Sequence, residues 1–271
     1  MATLFTKNLD DSECIYLARL AMEAGKFDPT AYFMQKLVLS SSRSPMELNI
    51  EERNLLFVGQ KSVIDSLRGS RQSFLEAQQK EREKNSASRY LVLIEKYISD
   101  AEYQLSKECN NMLELLDFRL LPGAQTTEDR VYYNMMIGDY HGYLADFKAG
   151  MKSYIAAEAA WTAYQNAQVA AIDLAATNQT NLSLALNQSA FLYDFCDKPY
   201  EASEIAKKAY EEAADELVKT LGKGPYGNSG TTVVMKLIRD NLMAWESEYP
   251  GQLHRRPWRP LFFTEPPTPN F

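Results

Sequence analysis

Apolar residues recur along this sequence at steps of three and four, the spacing of one helix face. No segment shows the alternation of a half-buried strand. Asp10, Asp11 and Ser12 precede Cys14, Ile15, Leu17, Leu20, Ala21 and Ala24, which predicts a capped helix stopping at Gly25. A second short helix is predicted from Asp28 and Pro29, because proline suits a first turn. Residues 40–45 read as a turn. The pattern then predicts one long amphipathic helix over 46–84 and another over 86–120, stopped by Pro122 and Gly123. Thr126, Thr127, Glu128 and Asp129 cap a helix ending near 149–150. Further helices are predicted over 152–175, 181–195, 199–221 and 229–248, the last two separated by a loop holding Gly222, Gly224, Gly227 and Gly230. About nine helices with short connections predict an all-α fold whose neighbours pack antiparallel. Unequal helix lengths exclude a tetratricopeptide-type repeat.

Composition narrows the function. The 271 residues carry 29 Lys and Arg against 36 Asp and Glu, a net charge of −7. The pI near 5.1 argues against a protein that binds nucleic acid through bulk charge. At 45% hydrophobic and 24% charged residues, the sequence has the material for a packed core. No apolar run reaches the roughly 18–20 residues of a membrane span, and the N-terminal stretch shows no secretory pattern. Three widely spaced cysteines, Cys14, Cys109 and Cys196, make neither a disulfide framework nor a zinc site. They suit a reducing, cytoplasmic setting, in which the Asn-x-Ser/Thr matches at Asn178, Asn181 and Asn187 have no glycosylation meaning. Residues 250–271 differ from the rest: six of the eleven prolines fall there, with Arg255, Arg256 and Arg259 against the single acid Glu265. Two segments are therefore expected, a helical domain over 1–249 and a Pro/Arg-rich tail over 250–271.

Catalytic constellations are poor. His141 and His254 are the only histidines, too few for a His-rich metal site, and neither a metal nor a cofactor is expected. The glycine cluster at Gly222-Lys223-Gly224-Pro225 lacks the preceding strand and the following Ser/Thr of a phosphate loop. More telling are polar residues on apolar helix faces. Val233, Leu237, Asn241 and Trp245 share one stripe, interrupted by Asn241. Asn187 sits beside Leu186 and after Leu184, while Lys61 and Arg68 lie two turns apart on a helix that also carries Val58. Each has a plain alternative. Asn187 and Asn241 can be satisfied helix–helix amides, Lys61 and Arg68 a solvated face, and Tyr143 core.

Arg53-Asn54-Leu55-Leu56-Phe57-Val58-Gly59-Gln60-Lys61-Ser62-Val63 resembles the first signature of the 14-3-3 proteins. The stretch 226–245, ending Leu237-Ile238-Arg239-Asp240-Asn241-Leu242-Met243-Ala244-Trp245, resembles the second. Gly138-Asp139-Tyr140, Tyr143-Leu144-Ala145 and Leu184-Ala185-Leu186-Asn187 match further family segments, so the resemblance spans residues 11–245. It implies nine antiparallel helices in a cup-shaped protomer with an amphipathic groove, usually a homodimer. It also implies a non-enzymatic signalling adaptor for phosphoserine or phosphothreonine segments. On that resemblance Lys61, Arg68 and Tyr143 hold the phosphate and Asn187 and Asn241 hold the ligand backbone. Val58, Leu186, Val233, Leu237 and Trp245 form the apolar wall.

Three departures accompany the resemblance. The family's third phosphate cation, an arginine before the tyrosine, is Gly142 here. A charged hydrogen bond contributes about 1.5–3 kcal/mol, so its loss corresponds to roughly 10- to 100-fold in affinity. Arg71, one turn beyond Arg68, is a candidate replacement, and the competing reading is a scaffold for unphosphorylated or acidic segments. Leu20, Ala24, Ser70 and Tyr97 suit the family's dimer contacts, but Pro29 with Asp100 and Lys26 with Gln104 stand where inter-subunit ion pairs are usual. Finally, Thr264-Glu265-Pro266 with Arg259 upstream has the form of a family ligand. Thr264 is thus a candidate phosphosite for self-occupancy of the groove, and Thr268 a second.

Overall fold

The computed structural model describes residues 9–220 and 229–247. Nine helices of more than ten residues make up most of the described residues, and no strand occurs among them. They form two compact units, the first ending at Gly123 and the second beginning at Ala124.

The first unit holds α1 (Asp11–Glu23), α2 (Phe27–Ser40), α3 (Ile50–Lys84) and α4 (Tyr90–Leu115). A π-helical turn at Leu116–Leu120 and a last turn at Leu121–Gly123 extend α4. As expected, Asp10 caps α1: its Oδ1 accepts from the Glu13 N–H at 2.8 Å, and Glu13 accepts from the Asp10 N–H at 3.1 Å. Gly25 ends the segment at φ +65°, a conformation a Cβ disfavours. The long third helix starts at Ile50, not at 46. Asn49 and Glu52 exchange reciprocal bonds of 2.9 and 3.0 Å that fix its first turn. Met46 and Leu48 are buried nonetheless, so their apolar spacing reflects core contact rather than helix. Glu52 is itself buried and takes both Arg43 terminal nitrogens at 3.0 Å, while Arg43 Nε reaches Asp11 at 3.1 Å. One guanidinium thereby ties the 41–49 segment to the starts of α1 and α3. Similarly, α4 starts at Tyr90 rather than 86, because Asn85 to Ser88 closes a turn with a 3.0 Å bond.

The second unit holds α5 (Thr127–Phe147), α6 (Met151–Ala170) with a 3₁₀ turn at Ala171–Asp173, α7 (Gln179–Asp194), α8 (Pro199–Thr220) and α9 (Ser229–Ser247). Thr126 caps α5 as expected. α7 starts two residues before the predicted 181, capped by Asn178, which accepts from the N–H groups of Thr180 and Asn181 at 2.9 and 3.1 Å. Ala156, Ala160, Ala163 and Ala167 make a buried small-residue seam along α6. The α7–α8–α9 core gathers Leu182, Leu186, Ala202, Ala206, Val234 and Ile238. Trp245 closes it by stacking on Tyr193 with 4.5 Å between centroids. Gly230 belongs to α9 rather than to a loop, and a Cβ there would strike the Gln179 side chain. Gly222, Gly224 and Gly227, and the tail 250–271, lie outside the described residues.

One core position conflicts with its surroundings. Gln188 on α7 is fully buried, and among the described residues neither of its amide atoms has a hydrogen-bond partner. An orphaned buried amide costs about 1–3 kcal/mol. Gln188→Leu, of similar volume, is therefore expected to raise the unfolding free energy by about that amount, read from urea denaturation midpoints. An unchanged or lower midpoint would show that the amide is satisfied in solution.

Candidate functional site

On α3, Val58 and Arg68 are half-buried and Lys61 keeps 29% of its side chain exposed. Lys61 is ion-paired to Asp65 one turn on, which draws its ammonium along the helix surface. The Val58 carbonyl accepts from Ser62 Oγ at 2.9 Å. The candidate replacement cation is committed elsewhere: Arg71 Nε donates to Glu102 on α4 at 2.8 Å, in a partly buried pair. α3 thus offers two of the expected phosphate cations on one side, while the third candidate serves to fasten α3 to α4.

In the second unit, the expected Asn187 of α7 meets a buried carboxylate of α5. Asp139 is fully buried. Asn187 Nδ2 donates to its Oδ2 at 3.0 Å and its Oδ1 at 3.2 Å, and the Tyr164 hydroxyl donates to Oδ1 at 2.6 Å. Burial, followed by the Asp139 charge, pushes the Tyr164 phenol well above its ordinary pKa, so it remains a donor. Gly138 makes room for this ring: a Cβ there would lie 2.8 Å from Tyr164 Cε1. Asn187 is 1% exposed and Tyr143 also 1%. Tyr143 packs edge-on against Tyr140 with centroids 6.0 Å apart. Both plain alternatives therefore describe real features: Asn187 is a buried amide whose donor end bonds Asp139, and Tyr143 packs in the core. Gly142 is buried, and beside it the half-buried His141 has its pKa lowered by burial.

The α9 stripe splits by depth. Val233 is 46% exposed, Leu237 and Asn241 are half-buried, and Trp245 is 8% exposed on its Tyr193 stack. Leu186 on α7 is fully buried. Val234 and Ile238, one residue further on, carry the core contact instead. Val233, Leu237 and Asn241 therefore form the border of that core rather than its centre. Sequence reasoning misses Asp139 and Tyr164 as members of the site, although Gly138-Asp139 belongs to a family-like segment. The available signal is an acid directly after a glycine in a helix otherwise rich in apolar and aromatic residues.

Among the described residues, no group of three or more His, Cys, Asp or Glu could hold a metal ion, and no helix is long and apolar enough to cross a membrane. None of the three cysteines is in a disulfide, and burial pushes the Cys196 thiol up to about 11, which leaves it a poor nucleophile. The candidate phosphosites Thr264 and Thr268 lie outside the described residues.

The described elements are all helices, and comparison with known proteins places that helical fold in one class of protein. The family model for the 14-3-3 protein covers residues 17–246. Similar proteins include 14-3-3 protein 10 of Solanum lycopersicum, 42% identical over 93% of this chain and 99% of its own. Another is the 14-3-3-like protein D of Nicotiana tabacum, 42% identical over 91% of this chain and 97% of its own. The 14-3-3-like protein of Chlamydomonas reinhardtii is 42% identical over 89% and 91%. The chain belongs to the 14-3-3 family. Proteins of this family are non-enzymatic adaptors that bind phosphorylated protein segments and typically form dimers.

Proposed function

We propose that this protein is a phosphoserine- and phosphothreonine-dependent adaptor with no enzymatic activity, acting in cytoplasmic signalling. One observation carries the reading: a family match over 17–246, and Lys61 and Arg68, seven residues apart on α3, suit it. A phosphate dianion is bound by charge-assisted donors, which are about twice as strong as neutral ones. Lys61 and Arg68 supply these, with Tyr143 as the phenolic donor. Asn187 and Asn241 pair the main chain of an extended ligand, and Val58, Leu186, Val233, Leu237 and Trp245 provide its apolar wall. Lys61 must exchange Asp65 for phosphate, and at 29% exposure it is accessible enough to do so. Gly142 removes a donor and favours a weaker phosphate site, so the second reading is a scaffold for unphosphorylated or acidic segments.

The domain extends over 1–249, followed by the tail 250–271. Three arginines make the tail basic on an acidic protein. Thr264 lies nineteen residues beyond Trp245, an extended reach of about 60 Å. Tethering raises the effective concentration to the millimolar range, enough to offset a weakened pocket. We place phosphorylated Thr264 in this protein's own site or that of a second copy. Self-association rests on the exposed apolar surface of the first unit: Tyr16 at 62%, Leu20 at 50% and Tyr97 at 60%, the last stacked on Phe74 with centroids 5.3 Å apart. Burying such side chains gives about 1.5–3 kcal/mol each, more than the surface ion pairs displaced by Lys26, Pro29, Asp100 and Gln104.

Three measurements test these readings. A labelled phosphothreonine peptide should bind the protein in fluorescence anisotropy, with binding abolished by phosphatase and by Lys61→Glu with Arg68→Glu. Equal binding of the dephosphorylated peptide would favour the scaffold. A peptide covering 256–271 should bind a protein ending at residue 250 only when Thr264 carries phosphate. Equal binding of both forms would remove phosphate from the tail's role, and no binding would remove the tail. Sedimentation at micromolar concentration should give a dimer that Leu20→Glu converts to a folded monomer, whereas a wild-type monomer would sink the interface assignment.

A further inference from the structure

An asparagine amide presents an acceptor on one side and donors on the other, and rotating it by 180° exchanges them at almost no change in shape. Which side a ligand meets decides whether the residue reads a backbone N–H or a backbone carbonyl. A buried asparagine has no bulk solvent to average the two, so its neighbours must choose. Next to Asn187 the neighbour is a carboxylate, which can only accept. Both Asp139 oxygens lie within 3.2 Å of Nδ2, so the donor end of the amide faces Asp139 and Oδ1 is turned away from it. Asp139 is held in turn, because the Tyr164 hydroxyl fixes its Oδ1 at 2.6 Å. Tyr164 is set by the space that Gly138 leaves, where even a Cβ would come within 2.8 Å of the ring.

We infer that Asp139 is a positioning residue for ligand recognition: it locks the Asn187 amide in the orientation that reads a backbone N–H, with Tyr164 as its anchor. This rests on the adaptor reading above and deepens it. Asp139 touches no ligand itself. Its effect is to remove one of two amide states before binding, so that no affinity is lost in selecting the other. The site thereby distinguishes the direction and register of an extended ligand, since a ligand offering a carbonyl at that point meets an acceptor.

The test uses the full-length protein and a phosphothreonine peptide in which each backbone N–H flanking the phosphoresidue is replaced in turn by an ester oxygen. The wild type should lose about 10-fold in affinity at one ester position. Asp139→Asn keeps the shape but offers both a donor and an acceptor to Asn187. It should bind the parent peptide about 10-fold more weakly and show little further loss at that ester. Tyr164→Phe should shrink the ester penalty partway, and it carries the comparison if Asp139→Asn does not fold. A variant that weakens parent and ester peptides by the same factor would reduce Asp139 to a structural role and overturn the inference. A wild type indifferent to every ester would overturn it too, while leaving the adaptor reading intact. A wild type that fails to bind the parent peptide would overturn both.

Discussion

A carboxylate removed from water must find donors in the protein. Asp139 is removed completely, on α5 within the second unit. Its donors come from two other helices, the Tyr164 hydroxyl of α6 and the Asn187 amide of α7. Each donor imposes a local condition: a glycine at 138 to admit the phenol ring and a buried amide on α7 turned toward the acid. A hydrogen bond to a charged acceptor weakens steeply with misalignment, so three helices are held in register by one side chain. The alanine seam of α6 serves the same end, because small residues there let the Tyr164 backbone come close enough to reach.

The first unit is organised on a comparable plan with the signs reversed. There a guanidinium, Arg43, is the shared group, and Asp11 and Glu52 are its partners at the starts of α1 and α3. Arg71 and Glu102 fasten the distal part of α3 to α4. Charged groups thus set the ends and spacing of helices, whereas apolar burial supplies most of the stabilisation. The Lys61–Asp65 pair differs in kind, joining two residues of the same helix one turn apart. Exchanging Asp65 for another anion would leave the contacts between helices made by the Arg43 and Arg71 pairs in place.

Much of the architecture is legible because helices announce themselves locally. The Asp10 and Thr126 caps and the Gly25 stop all fall where the residue pattern predicts them, since a cap is a contact between residues three apart. The start of α3 lies later than the pattern predicts, because Met46 and Leu48 are apolar and buried while packing as non-helical core. Only the Asn49–Glu52 exchange breaks that ambiguity. On α9 the stripe of Val233, Leu237 and Asn241 sits at a border, because a four-residue step drifts about 40° around a helix at 3.6 residues per turn. The neighbouring stripe of Val234 and Ile238 meets α7 and α8. At the site, Lys61 and Arg68 are visible through their spacing and Asn187 through its apolar neighbours. Asp139 is not, because a lone acid on a helix reads as solvated until the helices packed against it are known. Arg71 misleads for the same reason, its partner lying 31 residues away.

The dependence of Tyr164 on Gly138 has a bearing on how such a protein can change by mutation. Any side chain at 138 collides with the ring, and removing the ring leaves the acid at 139 short of a donor. Single steps away from this trio are therefore each unfavourable, even where a different trio would serve equally well. The three positions are thus coupled, each substitution costing least when its partners change with it. Gly142, one turn further along the same helix, stands outside the trio. Tolerance to substitution in this part of α5 is thus set at 138 and 139 by the partner each must meet on α6.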